Sequence, residues 1–308
     1  MKDKVLVTGS NGFIGKRLVS VLSDGFIVKA VVRQLKSSAC IDKAYEIGEI
    51  SGSTEWKACL DDVNTIVHLA GVAHNNSNVN DYINEVNVKG TINLARQAVN
   101  MGVKRFIFIS TISVLGIKSK KPFNESSIMF PQSFAAECKC KAENALLKIA
   151  ENSSLEVVII RPALVYGIDA PGNVGKLVKL VQKIPFLPFG FCKNKRSFIS
   201  VDNLIDFIKM CIHHPKAANK IFCISDDFDI SIREFTDSIA TGLNKKLIQL
   251  PVPIILMRLG ARLVGKSSIA EQLLGNLQVD SSNVQDTLGW TPPYTMEQVM
   301  ASLSESKK

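Results

Sequence analysis

The run Thr8-Gly9-Ser10-Asn11-Gly12-Phe13-Ile14-Gly15 constrains this chain more than any other stretch, because its glycines recur every third residue between an apolar run and an amphipathic one. Lys4 to Val7 reads as a strand and Ile14 to Leu22 as a helix. In that order Gly9 allows a tight turn, Gly12 lets the main chain approach an anion, and Gly15 permits close packing of helix on strand. The helix N-terminus then offers oriented N–H donors to paired phosphates. A dinucleotide site formed by Gly9, Asn11, Gly12, Phe13, Ile14 and Gly15 is the expectation.

The rest of the first half supplies the setting such a turn needs. Apolar, β-branched runs at Ile27 to Val32, Thr65 to Leu69, Arg105 to Ser110 and Glu156 to Arg161 alternate with helical stretches such as Tyr82 to Met101 and Lys139 to Glu151. This is the pattern of an α/β, doubly wound parallel sheet of Rossmann type, with strands buried on both faces. After Val165-Tyr166-Gly167 it breaks into segments punctuated by Pro171, Gly172, Pro185, Pro188 and Gly190. Residues 1–166 are expected to form the dinucleotide-binding domain, with about 200–225 returning to it, and 167–308 a smaller substrate-binding α/β domain.

The second strand ends in Val31-Val32-Arg33, roughly 20 residues past the glycines, where an acidic side chain would hold the 2′-hydroxyl of NAD. A guanidinium there suits a 2′-phosphate, so NADP(H) is favoured over NAD(H). The formal net charge of +9 fits an anionic nucleotide partner. Its lysines and arginines are scattered, with no dense basic block and interleaved aromatics, which argues against nucleic acid.

Seven irregularly spaced cysteines suit a reducing compartment. Cys138 and Cys140 would point about 200° apart on a helix, and His213-His214 before Pro215 suits a helix C-terminus, so no metal site is expected. No apolar signal core follows Met1, and a cytoplasmic location is expected. Leu250 to Val264, interrupted by Pro251, Pro253, Arg258 and Arg262, is too short to span a bilayer. It reads as a packed helix, with a position on a membrane surface as the alternative.

Several further motifs carry a resemblance. The spacing Thr-Gly-x-x-Gly-x-x-Gly, His68-Leu69-Ala70-Gly71, Asn87-Val88-Lys89-Gly90-Thr91, Phe108 to Val114, and Arg161-Pro162 through Val165-Tyr166-Gly167 together resemble the extended short-chain dehydrogenase/reductase family, of the NAD-dependent epimerase/dehydratase type. The resemblance implies that Leu69, Ala70 and Gly71 contact the cofactor, that Asn87 supports the active-site helix, and that Thr111 carries the catalytic hydroxyl. It also implies a homodimer. In that family a tyrosine four residues before a lysine performs acid–base work, its phenol made more acidic by the lysine ammonium. The lysine matches Lys139, which also serves the cofactor, but the tyrosine position is Ala135. Three explanations stand: an engineered form that traps substrate, a natural variant using Thr111, Ser113 or water, and a catalytically silent relative.

The second half resembles the branch acting on UDP-linked hexosamines in bacterial surface-polysaccharide (O-antigen) synthesis, through Leu187-Pro188-Phe189-Gly190, Asn194-Lys195-Arg196-Ser197-Phe198 and Val201-Asp202-Asn203-Leu204. This implies that Arg196 grips the nucleotide diphosphate, with Asn173 a weaker polar contact. The implied chemistry lies at C4 of a UDP-N-acetylhexosamine or its 4-keto-6-deoxy derivative, as a 4-epimerase or a 4-ketoreductase. From another class, Ala135 suggests a non-catalytic NADP-binding sensor. A ketone of the dihydroflavonol type is opposed by Arg196, whose charge would have no partner there.

Overall fold

The structure, a computed structural model, describes residues 2–35, 44–72 and 80–307. Its first strand, β1 (Lys4–Thr8), runs into α1 (Phe13–Ser23), followed by β2 (Ile27–Val32), β3 (Ala44–Glu46), the single turn α2 (Lys57–Leu60) and β4 (Thr65–His68). Next come α3 (Asn80–Asn84), a π-helical stretch Glu85–Gly90, α4 (Thr91–Asn100), β5 (Arg105–Ile109), α5 (Phe134–Glu151) and β6 (Glu156–Pro162). The pairings β3-β2, β2-β1, β1-β4, β4-β5 and β5-β6 are all parallel. The register sets Thr8 beside Val31 and His68, and His68 beside Phe108. The carboxyl ends of four strands therefore finish on one line.

Later elements are β7 (Leu164–Tyr166), α6 (Gly172–Lys183), β8 (Phe186–Leu187), β9 (Arg196–Ser200), α7 (Val201–His213), β10 (Lys220–Ile224), β11 (Asp229–Ile230) and α8 (Ile232–Gly242). After these follow β12 (Ile248–Gln249), α9 (Ile254–Leu263), α10 (Ser267–Leu274), α11 (Ser282–Leu288) and α12 (Met296–Ala301). Seven strands form the main sheet in the order β10-β6-β5-β4-β1-β2-β3. Its order reverses direction between β1 and β4, the place where open α/β sheets take ligands.

The chain divides into two compact units, Met1–Val114 with Ile128–Arg161 and Ile205–Phe222, and Leu115–Ser127 with Pro162–Leu204 and Cys223–Lys308. Within the first unit, Leu6, Ile66, Phe106, Val157 and Leu146 share a fully buried core. Arg105 fixes the end of α7 there, donating to the carbonyls of Cys211, Ile212 and His214 while pairing with Glu156 at 2.6 Å. That arginine meets the last carbonyls of the helix, and His213 stands in its last turn, as expected, stacked on Phe26.

In the second unit the sheet runs β11-β9-β7. Phe198 and Phe235 stack in its core, with Tyr166 edge-on to both. The segment 115–127 joins this unit because Ser119 and Phe123 donate to the carbonyls of Asn276 and Gln278. Two expectations need correction. Helix α5 starts at Phe134 rather than Lys139, since Ser133 caps it by accepting from the Ala136 N–H. Helix α9 is not a packed helix: none of its residues is buried.

Candidate functional site

The phosphate corner follows directly from three glycines. Gly9 adopts φ +67°, and a Cβ there would sit 2.9 Å from the Ala70 nitrogen. At Gly15 a Cβ would lie 2.2 Å from the Gly9 carbonyl oxygen. Any side chain at either position would drive α1 off β1 or push the Leu69-Ala70 turn away. The turn is tied down by Ser10 Oγ, which donates to the Val31 carbonyl at 2.7 Å. Gly12 is the N-cap of α1 and brings no side chain to its exposed end. The first helical bond there runs from the Lys16 N–H to the Gly12 carbonyl, leaving the amides of Phe13, Ile14 and Gly15 without a partner among the described residues. Unmet donors at a helix start beside a bare main chain are what a pyrophosphate needs, so the residues present fit a dinucleotide.

Behind this corner a buried hydrogen-bond chain fixes the neighbouring turn. Ala70 N–H donates to Thr8 Oγ1, Thr8 Oγ1 lies 2.8 Å from His68 Nδ1, His68 Nε2 lies 3.0 Å from Thr91 Oγ1, and Thr91 donates to the Asn87 carbonyl. Thr91 spends its proton on Asn87, so it accepts from His68 Nε2–H, and Nδ1 accepts from Thr8. Burial, helped by the nearby Lys139 charge, lowers the His68 pKa to about 3, so the ring stays neutral and in that one tautomer. Asn87 bonds both ways with the Val72 backbone, at 2.8 and 2.9 Å. It sits in the π-helical turn, whose Gly90 has no room for a Cβ beside Ile50.

Lys139 converges on the same turn. A Cβ on Gly71 would stand 3.3 Å from Asn87 Oδ1 and 3.4 Å from Lys139 Nζ. The ammonium donates to the Ile109 carbonyl at 2.8 Å and lies 4.4 Å above the Phe108 ring. Burial lowers its pKa to about 8, against an opposing pull from Glu143. Glu143 and Arg161 form a fully buried pair at 2.7 Å, which anchors α5 to β6. Ala135 packs on Ile83, Val88 and Cys138, one helical turn before Lys139. Thr111, half-buried after β5, accepts from the Ser113 N–H. Ser110 Oγ, buried beside it in sequence, has no hydrogen-bond partner among the described residues. Arg33 is exposed and lies 3.4 Å from Glu49.

The second unit holds the other expected residues. Arg196 is 7% exposed, and among the described residues its side chain makes one hydrogen bond, from Nη1 to the Gly275 carbonyl at 2.9 Å. No described carboxylate pairs with it. Burial lowers its pKa to about 10, so it remains a buried cation at neutral pH. Asn173, in the first turn of α6, donates to Gln272 at 3.2 Å. Among the described residues there is no group of three or more side chains able to hold a metal ion.

Residues 5–225 match a family described as the NAD dependent epimerase/dehydratase family. The chain belongs to that family. This epimerase/dehydratase family member is 42% identical over 309 residues to the UDP-glucose 4-epimerase of Vibrio cholerae, covering 97% of the chain and 93% of the relative. It is 27% identical over 312 residues to the N-acetyl-alpha-D-glucosaminyl-diphospho-ditrans,octacis-undecaprenol 4-epimerase of Escherichia coli O157:H7, at the same coverages. The solved UDP-N-acetylglucosamine 4-epimerase from Bacillus cereus superposes with a TM-score of 0.80 at 17% identity, covering 98% of each chain, and so shares the fold.

Sequence reasoning about this family member missed the Thr8–His68–Thr91 relay and the orphaned Ser110 hydroxyl. The only local signal for the relay is a histidine inside an apolar strand, which points to a satisfied core residue as readily as to a site.

Proposed function

We propose that this family member is a UDP-sugar enzyme working at C4 of a UDP-N-acetylhexosamine or its 4-keto-6-deoxy derivative. Its first unit is the dinucleotide-binding domain and its second the nucleotide-sugar-binding domain. The observation that carries the reading is Arg196, a buried guanidinium with one carbonyl and no counter-ion among the described residues, which a diphosphate would satisfy. Of the two forms of the reaction, the 4-epimerase is favoured by the V. cholerae relative. The nicotinamide, when bound, supplies hydride exchange at the sugar carbon. Lys139 holds the cofactor ribose side of the site and supplies positive charge, while Thr111 binds the reacting hydroxyl.

A methyl group at Ala135 gives no proton to that hydroxyl. General acid–base catalysis is worth about 10²–10⁴-fold, so the chain as it stands binds its ligands and turns them over slowly. NADP(H) requires Arg33 to leave Glu49 for a 2′-phosphate, an inexpensive exchange because the pair is exposed. NAD(H), the family's own cofactor, requires no such move. A groove lined by Ile92, Val99, Ala145 and Ile149 on α4 and α5 suits the same two helices of a second copy, supporting a homodimer.

The test is Ala135→Tyr assayed on UDP-N-acetylhexosamines and 4-keto-6-deoxy sugars with both cofactors. Restored C4 chemistry is the expected result. A variant that leaves every such sugar unchanged and binds the dinucleotide but not UDP would favour the second reading, a cofactor-binding sensor, for which Ala135 is the supporting observation.

A further inference from the structure

Helix α9 projects from its unit as an apolar ridge. Ile255, Leu256, Leu259, Leu263 and Val264 are 77%, 57%, 52%, 81% and 66% exposed, and no residue from Ile254 to Leu263 is buried. At 3.6 residues per turn, Ile255, Leu259 and Leu263 form one stripe with Leu256 along its edge, while half-buried Ile254, Met257 and Ala261 face the opposite way. Soluble surfaces rarely leave such a stripe uncovered.

Charge identifies what covers it. From Leu250 to Ala270 the chain carries Arg258, Arg262 and Lys266 and no acidic residue. Arg258 is held by Glu271 of α10 at 3.0 Å, which fixes α9 on its neighbour. Arg262 and Lys266 are exposed, with no ion pair among the described residues. Among those residues no helix is long and apolar enough to cross a membrane. A convex apolar stripe edged by free cations fits a fluid anionic surface better than a rigid groove. We propose that α9 is a membrane-docking helix, lying in the interface of an anionic bilayer with Leu259 and Leu263 among the acyl chains and Arg262 and Lys266 at the headgroups. The proposal does not depend on the reaction assigned above.

The full chain is to be sedimented with vesicles of phosphatidylethanolamine and phosphatidylglycerol, and with vesicles of phosphatidylcholine alone. The parent should bind the anionic vesicles and scarcely the neutral ones. Leu259→Asp with Leu263→Asp should weaken binding by at least about tenfold, and Arg262→Glu with Lys266→Glu should abolish the preference for phosphatidylglycerol. Because both tryptophans, Trp56 and Trp290, are buried away from lipid, a lipid-dependent change in the emission of Leu263→Trp over that of the parent reports the helix, and it should be a shift to the blue on adding anionic vesicles. A parent that stays in the supernatant, or a Leu263→Trp spectrum indifferent to lipid, overturns the proposal. So does light scattering that shows the leucine variants breaking up an oligomer formed without lipid, which would make the ridge a contact between copies.

Discussion

Arg196→Met separates a ligand-binding role for the buried guanidinium from a purely structural one. Burial moves its pKa from 12.5 to about 10, which at 1.36 kcal/mol per unit makes the charged state about 3 kcal/mol costlier than in water. Methionine keeps much of the aliphatic volume and removes that cost. It also removes one of two donors to the Gly275 carbonyl, which still accepts from Asn194 Nδ2 at 3.2 Å, a loss of about 0.5–1.5 kcal/mol. These terms oppose one another, so the unliganded variant should unfold within about 2 kcal/mol of the parent. UDP affinity has no such compensation: losing a charge-assisted bond to the diphosphate costs about 1.5–3 kcal/mol, roughly 10- to 150-fold in Kd. Urea denaturation without ligand gives the first quantity and calorimetry with UDP the second. UDP is the better titrant than a sugar nucleotide because it isolates the diphosphate contact. A variant that unfolds far more easily yet binds UDP as tightly as the parent would show that Arg196 serves the fold and nothing else.

The other substitutions probe the cofactor corner and one buried acid. Arg33→Asp should shift preference from NADP(H) toward NAD(H) in paired titrations, and unchanged affinities for both would show that the arginine never meets the 2′ position. Gly15→Ala puts a methyl 2.2 Å from the Gly9 carbonyl oxygen; overpacking of that kind costs about 1–3 kcal/mol, and denaturation and dinucleotide titration should both register it. Asp226, which accepts from Tyr166, Asn203 and Ser200, is raised by burial from 3.8 to about 6. The folded state therefore keeps a proton that the unfolded chain releases, and this contribution is complete below pH 3.8 and lost as pH rises through about 6, by about 3 kcal/mol. Asp226→Asn should remove that slope from stability measured across the interval; an identical pH dependence in both proteins would refute the assignment.

Six of the seven strands in the main sheet were legible, the sixth being the stretch Lys220 to Ser225 that returns to it as β10, because each is a buried, nearly unbroken apolar run, and β2 begins and ends where the pattern puts it. The edge strand β3 was not, since it is three residues long and only Ala44 and Tyr45 are apolar. The glycine turn between β1 and α1 was legible for a different reason: Gly9 and Gly15 answer a purely local steric demand, visible in their spacing. Partnerships across the sheet leave no such trace. Thr8 and His68 stand 60 residues apart and meet only because β1 and β4 pair in register. The burial of Arg196 was hidden likewise, since Asn194-Lys195-Arg196-Ser197 has the composition of an exposed basic turn, and the carbonyl that receives it comes from the end of α10, 79 residues later. Helix α9 failed in the opposite sense: its apolar residues suggested burial, whereas amphipathicity alone does not say which medium meets the apolar face.

The missing phenol bears on binding less than on turnover, because no polar contact that positions α5 involves residue 135. The helix is capped by Ser133, locked to β6 by Glu143 and Arg161, and tied to β5 by the bond from Lys139 to the Ile109 carbonyl. The turn around Gly71 is held by Asn87 and the Thr8–His68–Thr91 relay, again without it. Ala135→Tyr should consequently raise turnover by about 10²–10⁴-fold and leave dinucleotide affinity within a few-fold. The half-buried methyl rests on Ile83, Val88 and Cys138, so a ring accommodated without strain must point away from that cluster. If both turnover and affinity changed by similar factors, the ring would have displaced α5 instead, and the separation of proton transfer from ligand binding would not hold for this chain.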